Sequence, residues 1–198
     1  CQHRGPDSTG FAVYSSYRPD QLKLRFFLGN EQLPDQAIEA IRQRLTELGA
    51  RITDQAHIGD NYRVVVEYSD DVQQLAYAIE RAAKVISIGT SLEIVKDVGS
   101  AHDVDDRYSV RDYQGSHGLG HVRLATESDV KPEASHPFWA TGFADVAIVH
   151  NGQITNYWKM RRRLEQRGFE FTTDNDSELI AVYLADKLAQ GTELNEAL

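Results

Sequence analysis

Between residues 20 and 98 the apolar residues switch repeatedly between strand-like and helical spacing, and this constrains the fold more than any other feature of the chain. LKLRFFL (22–28) is a strand by composition. DQAIEAIRQRLTELGA (35–50) sets Ile38, Ile41, Leu45 and Leu48 on one helical face and stops at Gly49. NYRVVVEY (61–68) is β-branched and aromatic, which predicts a second strand. DVQQLAYAIERAAKV (71–85) repeats the helical spacing with Val72, Leu75, Ile79 and Ala82. VISIGTSLEIV (85–95) returns to strand, with a bend or bulge expected at Gly89. The order β-α-β-α-β predicts a small α/β unit. It holds no catalytic cluster and no internal repeat, and Asp70, Asp71 and Glu80 predict a solvated helix surface.

The flanks are organised differently. A polar connector, GSAHDVDDRYSVRDYQGSHG (99–118), precedes strand signals at 119–125, 145–150 and 169–172. Two helices alternate with the last of these. NYWKMRRRLEQRG (156–168) places Trp158, Met160 and Leu164 inward and ends in basic residues before Gly168, as a helix dipole favours. DNDSELIAVYLADKLAQG (174–191) predicts a capping box. Asn175 caps and Glu178 follows three residues on, ahead of Leu179, Ile180, Tyr183, Leu184 and Leu188.

Composition narrows the functional classes. With 198 residues, 41% of them hydrophobic, the chain can build one domain, or one domain with a sizeable insertion. The formal charge is −9 and its signs are interspersed, so the concentrated cationic surface that nucleic acid requires is not expected. No apolar run reaches the ~18 residues of a membrane span. A single cysteine excludes an internal disulfide and fits a reducing compartment, so a cytoplasmic location is expected. The chain opens in CQHRGPDSTG without an initiator methionine and stops in GTELNEAL; it is expected to be part of a longer protein, incomplete at both ends.

Two apolar runs end in polar clusters, and these carry the candidate chemistry. Arg123 closes the first. A guanidinium there can bind a carboxylate through two parallel hydrogen bonds, or serve as a surface ion pair. Asp176 lies in the first turn of the predicted helix, where it can receive a ligand ammonium or simply complement the helix dipole. One fixed cation and one fixed anion together would recognise the two ends of an α-amino acid. Asn151 and Gly152 close the second run. Their side-chain amide and backbone N–H can stabilise an oxyanion, and the same dipeptide also serves as a hairpin turn. His117 and His121 invite a metal reading, but the intervening Gly-Leu-Gly argues against a shared helical face and no carboxylate-rich partner motif stands nearby.

Five motifs then occur in order: HRGPDSTGFAVY (3–14), GHVRLATES (120–128), SHPF (135–138), VHNGQITN (149–156) and TDNDSELIA (173–181). Their order and spacing resemble the class II glutamine amidotransferases, which are Ntn-hydrolase-type glutaminase domains. The chain is most similar to the glutamate-synthase-like branch, which includes the amidotransferase subunit of N-methylglutamate synthase. The resemblance covers both flanks and, more weakly, the region before SHGLGHVRLATES. It implies that Arg123 binds the α-carboxylate of glutamine and Asp176 its α-ammonium. Thr126 and His136 would shape and support that pocket, and Asn151 and Gly152 would form the oxyanion hole.

The family's nucleophile is an N-terminal cysteine followed by Gly-Ile, with its own α-amine as base. Cys1 is the sole thiol, yet Gln-His-Arg-Gly follows it, and it abuts a motif that family members carry a few dozen residues after the nucleophile. Cys1 is therefore expected to be a coincidental neighbour of that motif, with the nucleophile further upstream and this piece alone inactive. The implied fold is α+β, a four-layer αββα sandwich of antiparallel sheets spanning residues 1–198, with an α/β insertion at approximately 20–98. The implied function is hydrolysis of glutamine to glutamate, with ammonia passed to a synthase domain or subunit. No metal and no organic cofactor are expected, and the full-length protein is expected to form an oligomer. HRGPDS also resembles the start of asparagine synthetase, although RLATES and HPF fit the glutamate-synthase side better. A non-catalytic glutamine-binding or scaffold module is the remaining alternative.

Overall fold

The computed structural model of the protein describes residues 7–29, 33–124 and 131–198. Cys1 and Thr126 lie outside the described residues.

Within the described residues the chain is a mixture of helices and antiparallel sheets. Strands β2 (Gln21–Phe27), β3 (Arg51–Ile58), β4 (Asn61–Glu67) and β5 (Lys84–Gly89) form one sheet in the order β3-β4-β2-β5, every neighbouring pair antiparallel. Helix α1 (Pro34–Glu47) connects β2 to β3, and α2 (Val72–Glu80) connects β4 to β5. The unit is therefore β-α-β-β-α-β, the split β-α-β arrangement, rather than the expected β-α-β-α-β. The unanticipated strand is β3. It lies at the sheet edge and is mostly exposed, so RITDQAHI lacks the apolar alternation of a strand with one buried face.

Period two explains the core of this unit. Leu22, Leu24 and Phe26 point to one face of β2 and are buried, as are Val64 and Val66 on β4 and Ile86 and Ile88 on β5. Ile41 and Leu45 of α1 and Leu75 and Ile79 of α2 cover that face. Each such side chain stabilises by about 1.5–3 kcal/mol on burial. The opposite face of β2 carries Lys23, Arg25 and Phe27.

The second sheet has the order β6-β1-β7, with β1 (Ser8–Tyr14) between β6 (Leu92–Val98) and β7 (His117–Arg123), antiparallel on both sides. The predicted strand 85–95 is thus two strands that join different sheets. The break falls at Thr90 and Ser91. The Asp145 carboxylate accepts from the Ser91 and Leu92 amides, each at 2.7 Å, and from the hydroxyls of Thr90 and Ser91. Gly89 tolerates this corner because a Cβ there would stand 2.8 Å from the Asp145 Oδ1.

The polar connector contains helix α3 (Ala101–Tyr108), started by a reciprocal capping box between Ser100 and Asp103. Val104 and Tyr108 are buried against Val95 and Phe11. A two-stranded pair, β8 (Phe138–Trp139) and β9 (Ala147–Ile148), packs on α5 (Asp176–Ala189). Helix α4 (Tyr157–Glu165) lies on α5, and α6 (Leu194–Ala197) follows.

Three local expectations change. Residues 169–172 are not a strand; Phe169 and Phe171 pack irregular backbone onto the α4–α5 core. Trp158 is 62% exposed, and Tyr157 faces inward in its place, beside Met160 and Leu164. Asn175 caps α5 by accepting from the Ser177 amide, while Glu178 turns away from the cap. The buried Glu178 carboxylate accepts from the amides and hydroxyls of Thr172 and Thr173, four donors at 2.6–2.8 Å.

Candidate functional site

Four segments meet at the N-terminus of α5: the end of β7, residues 134–136, residues 150–154 and the cap of α5 itself. Arg123 is the last residue of β7, opposite Ser8 of β1. Its Nη1 donates to the Ala134 carbonyl at 3.4 Å. The Asn175 side-chain amide donates to that same carbonyl at 3.2 Å. One backbone oxygen thus holds the strand-end cation beside the helix cap that precedes Asp176.

Asp176 occupies the first helical position. Its Oδ2 accepts from the Ile154 amide at 3.0 Å, which pins the segment following Asn151 and Gly152 to the start of α5. Asn151 and Gly152 themselves are exposed. They do not form a hairpin turn. The paired residues are 138–139 and 147–148, no strand follows residue 152, and the non-helical segment leads into α4. A type I′ turn also needs positive φ at both central residues, and neither residue has it.

Ser177 joins the two sides. It is 1% exposed, and its Oγ lies 2.7 Å from His136 Nε2 and 3.2 Å from His150 Nδ1. A serine hydroxyl has one proton and two lone pairs, so it can donate to at most one of these imidazoles and can accept from a ring N–H of the other. His150 immediately precedes Asn151, so Ser177 fixes the residue that carries the candidate oxyanion donors. The His136 ring also packs on His121, with centroids 4.2 Å apart, and edge-on to Phe138.

Burial sets the charge state of this cluster. His136 is drawn down to a pKa of about 3, first by burial and then by the positive character of His121, Lys96 and Arg123. His121 is lowered as well, chiefly by burial and next by Arg123. Both imidazoles are neutral near pH 7. The arrangement therefore offers neutral hydrogen-bonding rings beside one strong cation, a suitable setting for a ligand carboxylate.

Lys96 supports the segment that carries His136. It is buried, and Nζ donates to the carbonyls of Glu133, Ser135 and Pro137 at 3.2, 2.9 and 3.2 Å. Burial pulls its pKa down to about 8. Opposite Lys96 on β1 sits Gly10, where a Cβ would stand 2.0 Å from the His136 carbonyl oxygen. The residue must be glycine for the loop to lie so close.

Of the residues singled out in the sequence, Arg123, His136, Asn151, Gly152 and Asp176 therefore belong to one neighbourhood, while Cys1 and Thr126 lie outside the described residues. His117 does not join it. It stacks on Tyr14 at 4.3 Å, away from the contact between His121 and His136. Among the described residues no three His, Cys, Asp or Glu side chains are grouped to hold a metal ion. Nor is any helix there long and apolar enough to cross a membrane. Ser177 and Lys96 were missed. The only signal for Ser177 is its place within TDNDSELIA, and Lys96 lies one residue past the predicted strand 85–95 with no local signal of burial.

Comparison with known proteins bears on the family of the chain. A family profile described as a glutamine amidotransferase domain matches residues 121–198. The chain is 38% identical to a protein of Methanothermobacter thermautotrophicus described as a glutamine amidotransferase, across 100% of this chain and 67% of that protein. It is 37% identical to the glutamine amidotransferase-like protein GlxB of Rhizobium meliloti, across 98% of this chain and 64% of that one. Similarity to the amidophosphoribosyltransferase of Methanocaldococcus jannaschii, 34% identity, covers 60% of this chain and 26% of the relative. The chain spans about two thirds of the length of the first two relatives. By profile, by these relatives and by its ordered motifs, the chain belongs to the glutamine amidotransferase family.

Proposed function

We propose that this domain hydrolyses glutamine to glutamate and passes the ammonia to a synthase domain or subunit, as in the glutamate-synthase-like branch. The observation that supports it most is the Ala134 carbonyl shared by Arg123 and Asn175, which sets a guanidinium beside Asp176. In this reading Arg123 takes the α-carboxylate of glutamine in two parallel hydrogen bonds, and Asp176 takes the α-ammonium. Thr126 and His136 complete the pocket. A cysteine thiolate attacks the carboxamide carbon, and the negative charge that gathers on oxygen is met by the Asn151 amide and the Gly152 N–H. The tetrahedral intermediate collapses with loss of ammonia. Water then cleaves the glutamyl thioester and releases glutamate.

The same reading assigns the whole chain to one four-layer αββα domain in which the β2–β5 unit is an insertion. It requires no metal or organic cofactor, and it places the full-length protein in the cytoplasm as an oligomer. Ammonia release from glutamine by the full-length protein tests it, alongside Arg123→Ala and Cys1→Ser. Release that falls at least tenfold in Arg123→Ala and is unchanged in Cys1→Ser is expected. Absence of release from the unsubstituted protein would overturn the reading, and release abolished by Cys1→Ser would make Cys1 the nucleophile.

A further inference from the structure

Arg25 has the buried guanidinium that neither the core nor the candidate site explains. It sits on the face of β2 turned away from α1 and α2, and its side chain is 1% exposed. Only Nη2 is satisfied, by the Tyr113 hydroxyl at 2.7 Å and by Glu93 at 3.2 Å. Nε and Nη1 have no partner among the described residues. Buried donors of this kind are costly and uncommon in folded proteins.

Its one acidic partner is also shared. Glu93 is already held by Arg63, through Nε at 2.7 Å and Nη2 at 3.1 Å, so one carboxylate serves two guanidiniums. The other acidic partner of Arg63 is Asp54, which is 65% exposed and screened by solvent. Lys23 adds a third cation on the same face of β2, with its ammonium turned to Ser15 and Ser16. Glu93 is thus shared by Arg25 and Arg63, Asp54 is in water, and Asp145 acts on Lys23 rather than on Arg25.

An open cleft of about 350 Å³ lies against this cluster, lined by Arg63, Glu93, Tyr113 and Gln114 together with Val13 and Ser15. Glu93 and Tyr113, the two partners of Arg25, form part of its wall. The Tyr113 oxygen accepts from Arg25, so its own proton is available to a group in the cleft. Gln114 is exposed and adds an amide. By strand parity Val13 and Glu93 point to the face of the β6-β1-β7 sheet opposite His121, so this cleft is separate from the candidate amidotransferase site.

We propose that this cleft, between the β2–β5 unit and the β6-β1-β7 sheet, is a binding site for a small oxyanion bearing a carboxylate or phosphate group. The ligand accepts from Tyr113, Gln114 and Arg63, and Arg25 behind the wall supplies the compensating charge. The size of the cleft, at the low end of ligand pockets, suits a small metabolite rather than a nucleotide or a peptide.

Isothermal titration of the full-length protein, in buffer without other oxyanions, tests this with two probes, inorganic phosphate and succinate. At least one is expected to bind saturably with a dissociation constant below about 1 mM. Binding should weaken at least tenfold in Arg25→Met and in Tyr113→Phe, while glutamine turnover without added anion is unchanged in Tyr113→Phe. Phosphate or succinate alone would identify the group recognised. Should Arg25→Met fail to fold, Tyr113→Phe decides, because it removes one hydroxyl and keeps the ring. Saturable binding of neither probe overturns the proposal, and so does equal affinity in the wild type and Tyr113→Phe.

Discussion

His136 Nε2 and the Ser177 hydroxyl stand 2.7 Å apart, both side chains buried, and the same hydroxyl reaches His150 at 3.2 Å. Three segments distant in sequence are thereby tied at one oxygen. In Ser177→Ala both imidazoles lose that partner, and each unpaired buried group costs about 1–3 kcal/mol. The variant is expected to melt several degrees lower. Glutamine turnover should fall further than this loss of stability explains, because His150 no longer fixes Asn151. Steady-state kinetics at a temperature where the variant is fully folded separate the two effects, and unchanged kcat there would remove Ser177 from the site.

The neutral state of His136 predicts an acid-sensitive fold. Its folded pKa, about 3, lies below the ordinary histidine value of 6.5, so between these limits the unfolded chain binds a proton that the folded chain refuses. The stability it contributes is complete above pH 6.5 and is lost as pH falls toward 3, by up to about 1.4 kcal/mol per pH unit per proton. Asp145 is shifted below the usual carboxylate range, as hydrogen bonds from Thr90, Leu92 and Ser91 outweigh burial, so its contribution is present above the ordinary aspartate value of 3.8 and is lost as pH falls below it, at the acid end of the His136 window and beyond. Urea midpoints at pH 7.5 and 5 should therefore separate more in the wild type than in His136→Asn. Equal separations would mean that His136 does not carry the effect.

What could be read from the sequence follows from where the signal lay. Helices α1, α2 and α5 were legible because Ile41 and Leu45, Leu75 and Ile79, and Ile180 and Leu184 repeat at helical spacing, and all but the half-buried Ile180 become buried. Helix α3 was not, since Val104 and Tyr108 are its only buried residues within a polar stretch, although the Ser100–Asp103 box was present to be seen. The corner at Thr90 and Ser91 depends on Asp145, more than fifty residues away, and no local pattern encodes it. The site divides in the same way. Arg123 and Asp176 stood out by residue type and position, whereas Lys96 and Ser177 acquire their importance only from partners brought together by the fold.

Two glycines make opposite predictions. Gly10→Ala places a methyl 2.0 Å from the His136 carbonyl, 2.8 Å from Lys96 Cβ and 2.9 Å from Pro137 Cδ. Backbone on a buried strand cannot yield cheaply, and a loss of about 3 kcal/mol or more is expected. Gly152→Ala meets instead the His150 ring, with Nε2 at 2.8 Å, at an exposed position. Its stability should change by less than about 1 kcal/mol. Its glutaminase activity should fall at least tenfold as His150 is displaced. Thermal melting together with activity distinguishes them, and a stable, well-folded Gly10→Ala protein would contradict the packing described here.

The last prediction separates binding from chemistry within the proposed site. In the proposed reading Arg123 would face a charge that glutamine carries before, during and after the reaction, so its contribution would be nearly the same in the ground state and the transition state. Loss of a charged hydrogen-bonding partner typically costs a few kcal/mol. Arg123→Ala should therefore raise the KM for glutamine at least tenfold with a smaller change in kcat. Asn151 would, in the same reading, face an oxygen that becomes negative only as the carboxamide is attacked, so Asn151→Ala should lower kcat by roughly 10²-fold with little change in KM. Neither substitution should unfold the protein, since Asn151 is exposed and Arg123 lies outside the hydrophobic core. Full steady-state curves for both variants of the full-length protein, with ammonia as the readout, provide the comparison. An Asn151→Ala variant that binds glutamine more weakly and keeps its kcat would remove the oxyanion role. An Arg123→Ala variant with unchanged KM would remove the carboxylate clamp.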